Sequence, residues 1–537
     1  MAPETSHLWL WLGFAAAAGV VYVAGIVVYR IFFHPLAKYP GPLIAKITDG
    51  YQLYHAWNGD RHLDFYRLHN QYGNIVRFGP NSLSFNSAAS LKDIYGFRSN
   101  VRKAEFYDAF VHPAPNTHNA RDKDTHARKR RVLAHAFSDS AMKEMERYVL
   151  GNVRAFTAEV GRAASGASGD EKKGWSTPKN MADWCNYLAM DILGDLSFGK
   201  AFHMLEAPDN RFALDLIAAA TKRHLLCGTM PIVDKLKLDR LLFPTIAAGR
   251  ARYMAYSKGQ LTERTKMGED TDRRDFFYYL LKARDPETGQ GFSVPELWGE
   301  SNLLIIAGSD TTSTAMAATL FYLVRNAAAL ERVTAEVRGK FADVEDIRQG
   351  AALNTCVYLR ACIDEAMRLS PSVGGLLPRE VLAGGATIDG ERVPEGTVVG
   401  TPHYAIHHNE AYYPSAYTYA PERWIVGAAN PALGGRGATA TTTTTTEEDV
   451  ARAQSAFCPF SIGARGCIGK GLAYAEMSTA LARTVFLYDL RKAVGVEDPA
   501  EGRPGRGRGR ERAGEMQLFD TFTSMKDGPM LEFRARA

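Results

Sequence analysis

The chain has 537 residues, of which 46% are hydrophobic and 23% charged, so it can bury a large core. A formal charge of +5 over that length excludes the dense basic surface of a nucleic-acid binder. Six scattered cysteines (Cys185, Cys227, Cys356, Cys362, Cys458, Cys467) form no C-x-x-C pair and no zinc spacing, which excludes a disulfide scaffold and points to a reducing compartment.

In chain order, the first predicted element is a helix over Leu8–Val28, which carries no charge. At about 1.5 Å per residue it is long enough for a bilayer core of roughly 30 Å. MAPETSH before it lacks Lys and Arg, while Arg30 and Lys38 follow it, the reverse of a cleaved signal peptide. By the positive-inside rule those charges keep the body on the cytosolic side, and Trp9, Trp11 and Tyr29 stand where interfacial aromatics belong. Residues 1–29 are therefore predicted as a single-pass anchor. HPLAKYPGP (His34–Pro42) cannot continue a helix, so residues 30–50 read as a stiff, proline-rich hinge and residues 51–537 as one body.

From about Tyr51 to Arg338 the apolar pattern is helical, for example over Asp183–Leu196, Phe212–Leu226 and Pro295–Arg325. Strands are shorter: Ile75–Phe78, Ser82–Phe85 and the Ala386–Gly400 segment, which turns at Asp389-Gly390. The fold class is thus mainly α with small β-sheets. Residues 430–448, with six consecutive threonines, and 501–515, with RPGRGRGRER, read as solvated low-complexity loops.

Near the C-terminus stands PFSIGARGCIG, Pro459–Gly469, a cysteine among glycines just before an alanine-rich helical stretch. Glycines let backbone lie close to a large group. A single thiolate without partner ligands is ill suited to zinc, which wants four donors, and well suited to the proximal position of heme iron. Gly463 and Gly469 would let the loop lie flat beneath a planar ring, Gly466 would allow a turn, and Arg465 would reach a carboxylate of the cofactor. Phe460, Gly463, Arg465, Cys467 and Gly469 together resemble the heme-binding signature F-x-x-G-x-R-x-C-x-G of the cytochrome P-450 superfamily, fungal microsomal type.

Other landmarks of that family occur in its order. AGSDTT, Ala307–Thr312, resembles the oxygen-binding segment: Ala307 and Thr311 share a helix face, and Asp310 with Thr311 forms an acid–alcohol pair able to pass protons. EAMR, Glu365–Arg368, and PERW, Pro421–Trp424, imply a buried triad of Glu365, Arg368 and Arg423. In HARKRRVLAHAFS, His126 takes the place of the family's tryptophan and Arg130 matches its arginine, while LPRE supplies Arg379; all three are implied to face heme propionates. Arg128, Lys129 and Arg131 would attract an acidic electron donor. Substrate contacts are expected from Val101–Val111, Phe212–Cys227, Ile305, Ile306 and Ser372–Leu377.

The resemblance implies a heme-thiolate catalytic domain over residues 51–537, with heme b held by Cys467. Its partners would be NADPH-cytochrome P-450 reductase, dioxygen, membrane lipid and a lipophilic small molecule, with no nucleic acid. Its implied place is the endoplasmic reticulum membrane, with the catalytic domain cytosolic. The implied reaction is monooxygenation in fungal secondary metabolism. Desaturation or oxidative ring closure shares every motif, and a heme sensor or electron carrier would need neither the proton pair nor a substrate cavity.

Overall fold

The computed structural model describes residues 4–111, 114–162, 174–267, 272–433 and 443–536. Its first helix, Glu4–Val28, winds on through a wider turn at Tyr29–Phe33. The stretch Trp9–Phe33 is apolar and long enough to cross a membrane, and its most apolar window is not buried against the body; contact begins at Arg30. The chain then bends at His34–Pro42, where Pro35, Pro40 and Pro42 remove helical donors. A short helix, Leu43–Ile47, interrupts the predicted hinge.

Helices dominate the body and the sheets are small and peripheral, as the pattern predicts. The central helix runs over Val294–Leu323. A capping box opens it, with Ser293 and Glu296 satisfying each other's backbone donors, and Pro295 occupies its first turn. Its C-terminal half is buried almost all round, from Thr312 to Leu323. Against it packs the helix Met181–Phe198, and Gly308 permits the contact: a Cβ there would lie 2.3 Å from Leu193 Cδ1. Gly308 is thus small because its neighbouring helix approaches it.

A five-stranded sheet flanks the helical body in the order Ile75–Gly79, Ser82–Phe85, Val398–Gly400, Arg379–Val381, Val101–Lys103. Only the Ser82–Phe85 and Val398–Gly400 pair is parallel; the others are antiparallel. This sheet carries Lys103 and Arg379 side by side, paired in register. A C-terminal hairpin, Leu518–Thr521 with Thr523–Lys526, turns at Phe522 and lies against the central helix.

Of the predicted loops, residues 434–442 fall outside the described residues. The flanking part is built in: Asn430 and Thr445 are buried and bonded to each other, and Thr446 caps the helix Glu447–Ala456. The arginine-glycine loop is exposed over most of its length, yet its end is docked. Arg510 is buried and donates to Gly59 O and Leu518 O, and Glu515 is buried against the Tyr404 hydroxyl. Neither segment is wholly a solvated insertion, because each ends in side chains that satisfy buried backbone.

Candidate active site

The loop before the helix Lys470–Leu487 closes on itself through Cys467 N–H to Phe460 O at 2.8 Å and Gly466 N–H to Gly463 O at 2.9 Å. Cys467 is the one exposed thiol; the other five are buried. Its exposed surface is cavity wall rather than outer surface, for it lines an interior space of about 320 Å³. Burial pushes its thiol up, while backbone N–H groups of Gly469 and Lys470 and the nearby Arg130 and Lys470 charges pull the other way. The helix that starts at Lys470 adds its positive end to the same sulfur. The N–H groups, the two charges and the helix end favour thiolate, against burial.

The glycines divide differently from the sequence expectation. Gly463 sits at φ +69°, and a Cβ there would fall 2.1 Å from Tyr95 O, so it serves a backbone contact with the helix Ala88–Tyr95. It is not among the residues that line the cavity. Gly466 has φ −61°, a value open to any residue, so no special turn requires it. Gly469 lies on the wall, with its Cβ direction 3.9 Å from the sulfur.

The same cavity is lined by Ala307, Gly308, Thr311 and Thr312 of the central helix. The Thr311 hydroxyl donates to Ala307 O at 2.7 Å, one turn back. Asp310 is half-buried and off the wall; its carboxylate accepts from Thr523 Oγ1 at 3.0 Å. Burial raises its pKa, and Lys526 and the Thr523 bond oppose that. The expected acid–alcohol pair of adjacent residues is therefore not joined directly, because successive helical residues point about 100° apart.

The rim is cationic. Lys103, Arg130, Arg379 and Arg465 all line the cavity, and the one carboxyl among the described lining residues, Glu476, is pushed up by burial to about 8. Arg130 donates to Gly466 O at 2.8 Å, Arg379 to the Tyr107 hydroxyl at 3.3 Å, and Arg465 to the carbonyls of Ala120, Arg121 and Asp122. Burial and the neighbouring Arg379 depress Arg465 to about 10. His126 is buried beside them and held down to about 3 by burial and the same charges, which makes it a neutral donor or acceptor. Such a group of buried cations without an ionised acid calls for an anionic guest. A flat apolar ring bearing two carboxylates, with a metal facing a lone thiolate, fits this donor set; among the described residues no cluster of three or more His, Cys, Asp or Glu competes for the metal.

Behind the loop, Glu365 and Arg368 are fully buried and joined by two hydrogen bonds of 2.8 and 2.9 Å. Arg423 Nε reaches Glu365 Oε1 at 3.4 Å, and Trp424 Nε1 donates to Glu365 Oε2 at 3.0 Å. The three predicted members meet, and Trp424 joins them. Arg128 and Lys129 do not form a free basic face. Both are paired with Glu296, and Arg131 with Asp285.

Of the predicted substrate segments, Tyr107, Phe110, Thr221, His224, Ile306, Ser372, Val373 and Leu377 line the cavity, whereas Ile305 is turned into the core. Lys103 of the Val101–Val111 segment also lines the cavity, whereas sequence reasoning missed Asn116–His118, Asn302, His403, Glu476 and the hairpin residues Phe522 and Thr523. No local pattern marks these, since they are gathered from distant elements.

A family model described as Cytochrome P450 matches residues 40–507. The cytochrome P450 monooxygenase AKT7 of Alternaria alternata is 39% identical over 520 residues, covering 97% of this chain and 96% of that protein. The cytochrome P450 monooxygenase poxM of Penicillium oxalicum is 39% identical over 515 residues, 96% of this chain and 93% of its own. A third, atnE of Emericella nidulans, is 38% identical over 528 residues, 98% and 96% respectively.

Proposed function

The chain belongs to the cytochrome P450 family of monooxygenases, and from that premise we propose that it is a membrane-anchored heme-thiolate enzyme oxidising a lipophilic small molecule in fungal secondary metabolism. The observation that carries the reading is one cavity lined together by Cys467, by Ala307 and Thr311 of the central helix, and by four cations, Lys103, Arg130, Arg379 and Arg465. The fungal sources of its relatives support the metabolic setting, and the long apolar helix within Trp9–Phe33 supports anchorage in the endoplasmic reticulum membrane.

Heme bound here supplies the redox chemistry: with two electrons drawn from NADPH through a reductase, one atom of dioxygen goes to substrate and one to water. Cys467 would hold it through its thiolate, and Phe460 stands in the same loop. Arg130, Arg379, Arg465 and the neutral His126 would hold its carboxylates, with Lys103 added to that set. The Glu365–Arg368–Arg423 triad keeps the loop's support rigid. Ala307 would leave space for the bound group, Thr311 would present a short hydroxyl to the same cavity, and Asp310 would store the proton. Lys526 opposes the rise that burial imposes on that acid. The apolar wall of Leu304, Ile306, Val373, Leu377 and Phe522 accepts the substrate and excludes water.

Two measurements test this. Membranes carrying the protein, reduced and exposed to carbon monoxide, are expected to show the red-shifted band of thiolate ligation, and Cys467→His to lose it; a wild type without the band overturns the reading. Mass spectrometry of the host with wild type and with Cys467→Ala then compares substrate and product. A difference of one oxygen identifies hydroxylation or epoxidation. A difference of two hydrogens identifies desaturation or ring closure.

A further inference from the structure

The acid of the central helix does not itself face the cavity, and one hydroxyl stands between the two. Asp310 is absent from the cavity wall among the described residues, whereas Thr523 is on it. Thr523 Oγ1 lies 3.0 Å from Asp310 Oδ2. Thr311, the adjacent alcohol, already donates to Ala307 O.

Thr523 is also held in place. Its hairpin pairs Thr521 with Thr523 across a single residue, Phe522, whose φ of +83° is a left-handed value that a phenylalanine adopts only when its surroundings demand it. Those surroundings are the rings of Phe110 at 5.0 Å, His118 at 5.5 Å and Phe106 at 5.8 Å. Phe522 N–H donates to Asp520 Oδ1, and Asp520 is paired with the buried Arg61. On the other side Ser524 N–H donates to Ser372 O, and Ser524 O accepts from Thr314 of the central helix. Lys526 completes the clamp, donating to Asn186 Oδ1 at 2.8 Å and Ser313 Oγ at 2.9 Å.

We propose that Thr523 is the relay through which Asp310 delivers protons to the cavity. In that step a proton leaves Asp310 Oδ2 for Thr523 Oγ1 as the hydroxyl's own proton passes to an acceptor in the cavity. No electron moves. Asp310 and Lys526 are both half-buried, so the acid reloads from solvent water. The proposal rests on the reading of Asp310 as the proton store.

The test uses the full-length, heme-loaded enzyme with reductase and NADPH, and measures how the consumed oxygen divides between water and hydrogen peroxide. In Asp310→Asn and in Thr523→Val the rate of water formation is expected to fall on the order of a hundredfold, the lower end of what a positioned proton donor contributes. Peroxide should take up the oxygen, and the solvent deuterium isotope effect on the residual rate should rise. Thr523→Ser is expected to restore the wild-type division. A second readout is independent of turnover: the infrared carboxyl band assigned by its loss in Asp310→Asn should shift in Thr523→Val and return in Thr523→Ser. If Asp310→Asn diverts oxygen to peroxide and Thr523→Val does not, the relay is wrong while the acid stands. If neither variant does, the assignment of Asp310 falls as well. The carbon monoxide band of each variant shows that it has folded and taken up heme, and Thr523→Ala replaces Thr523→Val should the latter fail to do so.

Discussion

Cys467 and Gly463 stand four residues apart in one loop and do unlike work. The cysteine faces the cavity; the glycine lets the loop approach the Tyr95 carbonyl from behind. Gly463→Ala must take a left-handed φ and push its Cβ into backbone that cannot yield, so it is expected to cost at least about 1–3 kcal/mol and to lower heme content. Thermal unfolding and the carbon monoxide spectrum check both. Glu365→Ala strands two buried guanidinium groups and is expected to cost about 3–5 kcal/mol, with heme incorporation lost; a fully loaded variant contradicts the triad's supporting role. At this scale the ligand loop was legible because its spacing is local. Asp310 was legible as an acid, but its partner was not, since Thr523 lies 213 positions away.

The central helix does more than carry Thr311. Near its start Glu300 accepts from Thr117 N–H at 2.8 Å, and Asn116 donates to Gly299 O at 3.3 Å, so the helix holds the Asn116–His118 segment on the cavity wall. Burial lifts Glu300 to about 7, against the pull of Lys129 and the Thr117 bonds, with Glu296 adding to the rise. A carboxyl raised this way binds its proton more tightly folded than unfolded. Its contribution is present below the unfolded pKa of about 4.3 and is lost as pH rises toward the folded value. Between pH 5 and 7 the wild type is therefore expected to lose about 2 kcal/mol relative to Glu300→Gln at 1.36 kcal/mol per unit, read from denaturant unfolding at each pH. Equal slopes for the two proteins would refute this. The helix itself was predictable from its apolar run, but the latch was not: the Asn116–His118 segment has no regular structure of its own, and only contact with the helix fixes it.

For the whole molecule, the anchor and the body are joined by more than a hinge. Arg77 is fully buried and donates to Arg30 O at 2.8 Å, and Arg30 in turn donates to Ile47 O. Removing residues 1–28 is expected to take the protein out of the carbonate-washed membrane pellet with its unfolding temperature unchanged. Removing residues 1–33 deletes the Arg30 carbonyl, leaves a buried guanidinium donor unmet, and is expected to cost a further ~1–3 kcal/mol; equal unfolding temperatures would show that the clamp adds nothing. The helical class, the long apolar N-terminal run, the cysteine loop and the Glu365–Arg368 pair could be read from the sequence alone, because each is written in local spacing: a 3.6-residue period, an unbroken run of apolar residues, a cysteine among glycines, charges three apart. Arg423, 58 positions from Glu365, came from the family resemblance. Tertiary structure alone decided which cations share the rim, which acid reaches which hydroxyl, and what closes the substrate wall. Those depend on strands and hairpins hundreds of residues apart being brought within a few ångströms, and burial then sets their charges.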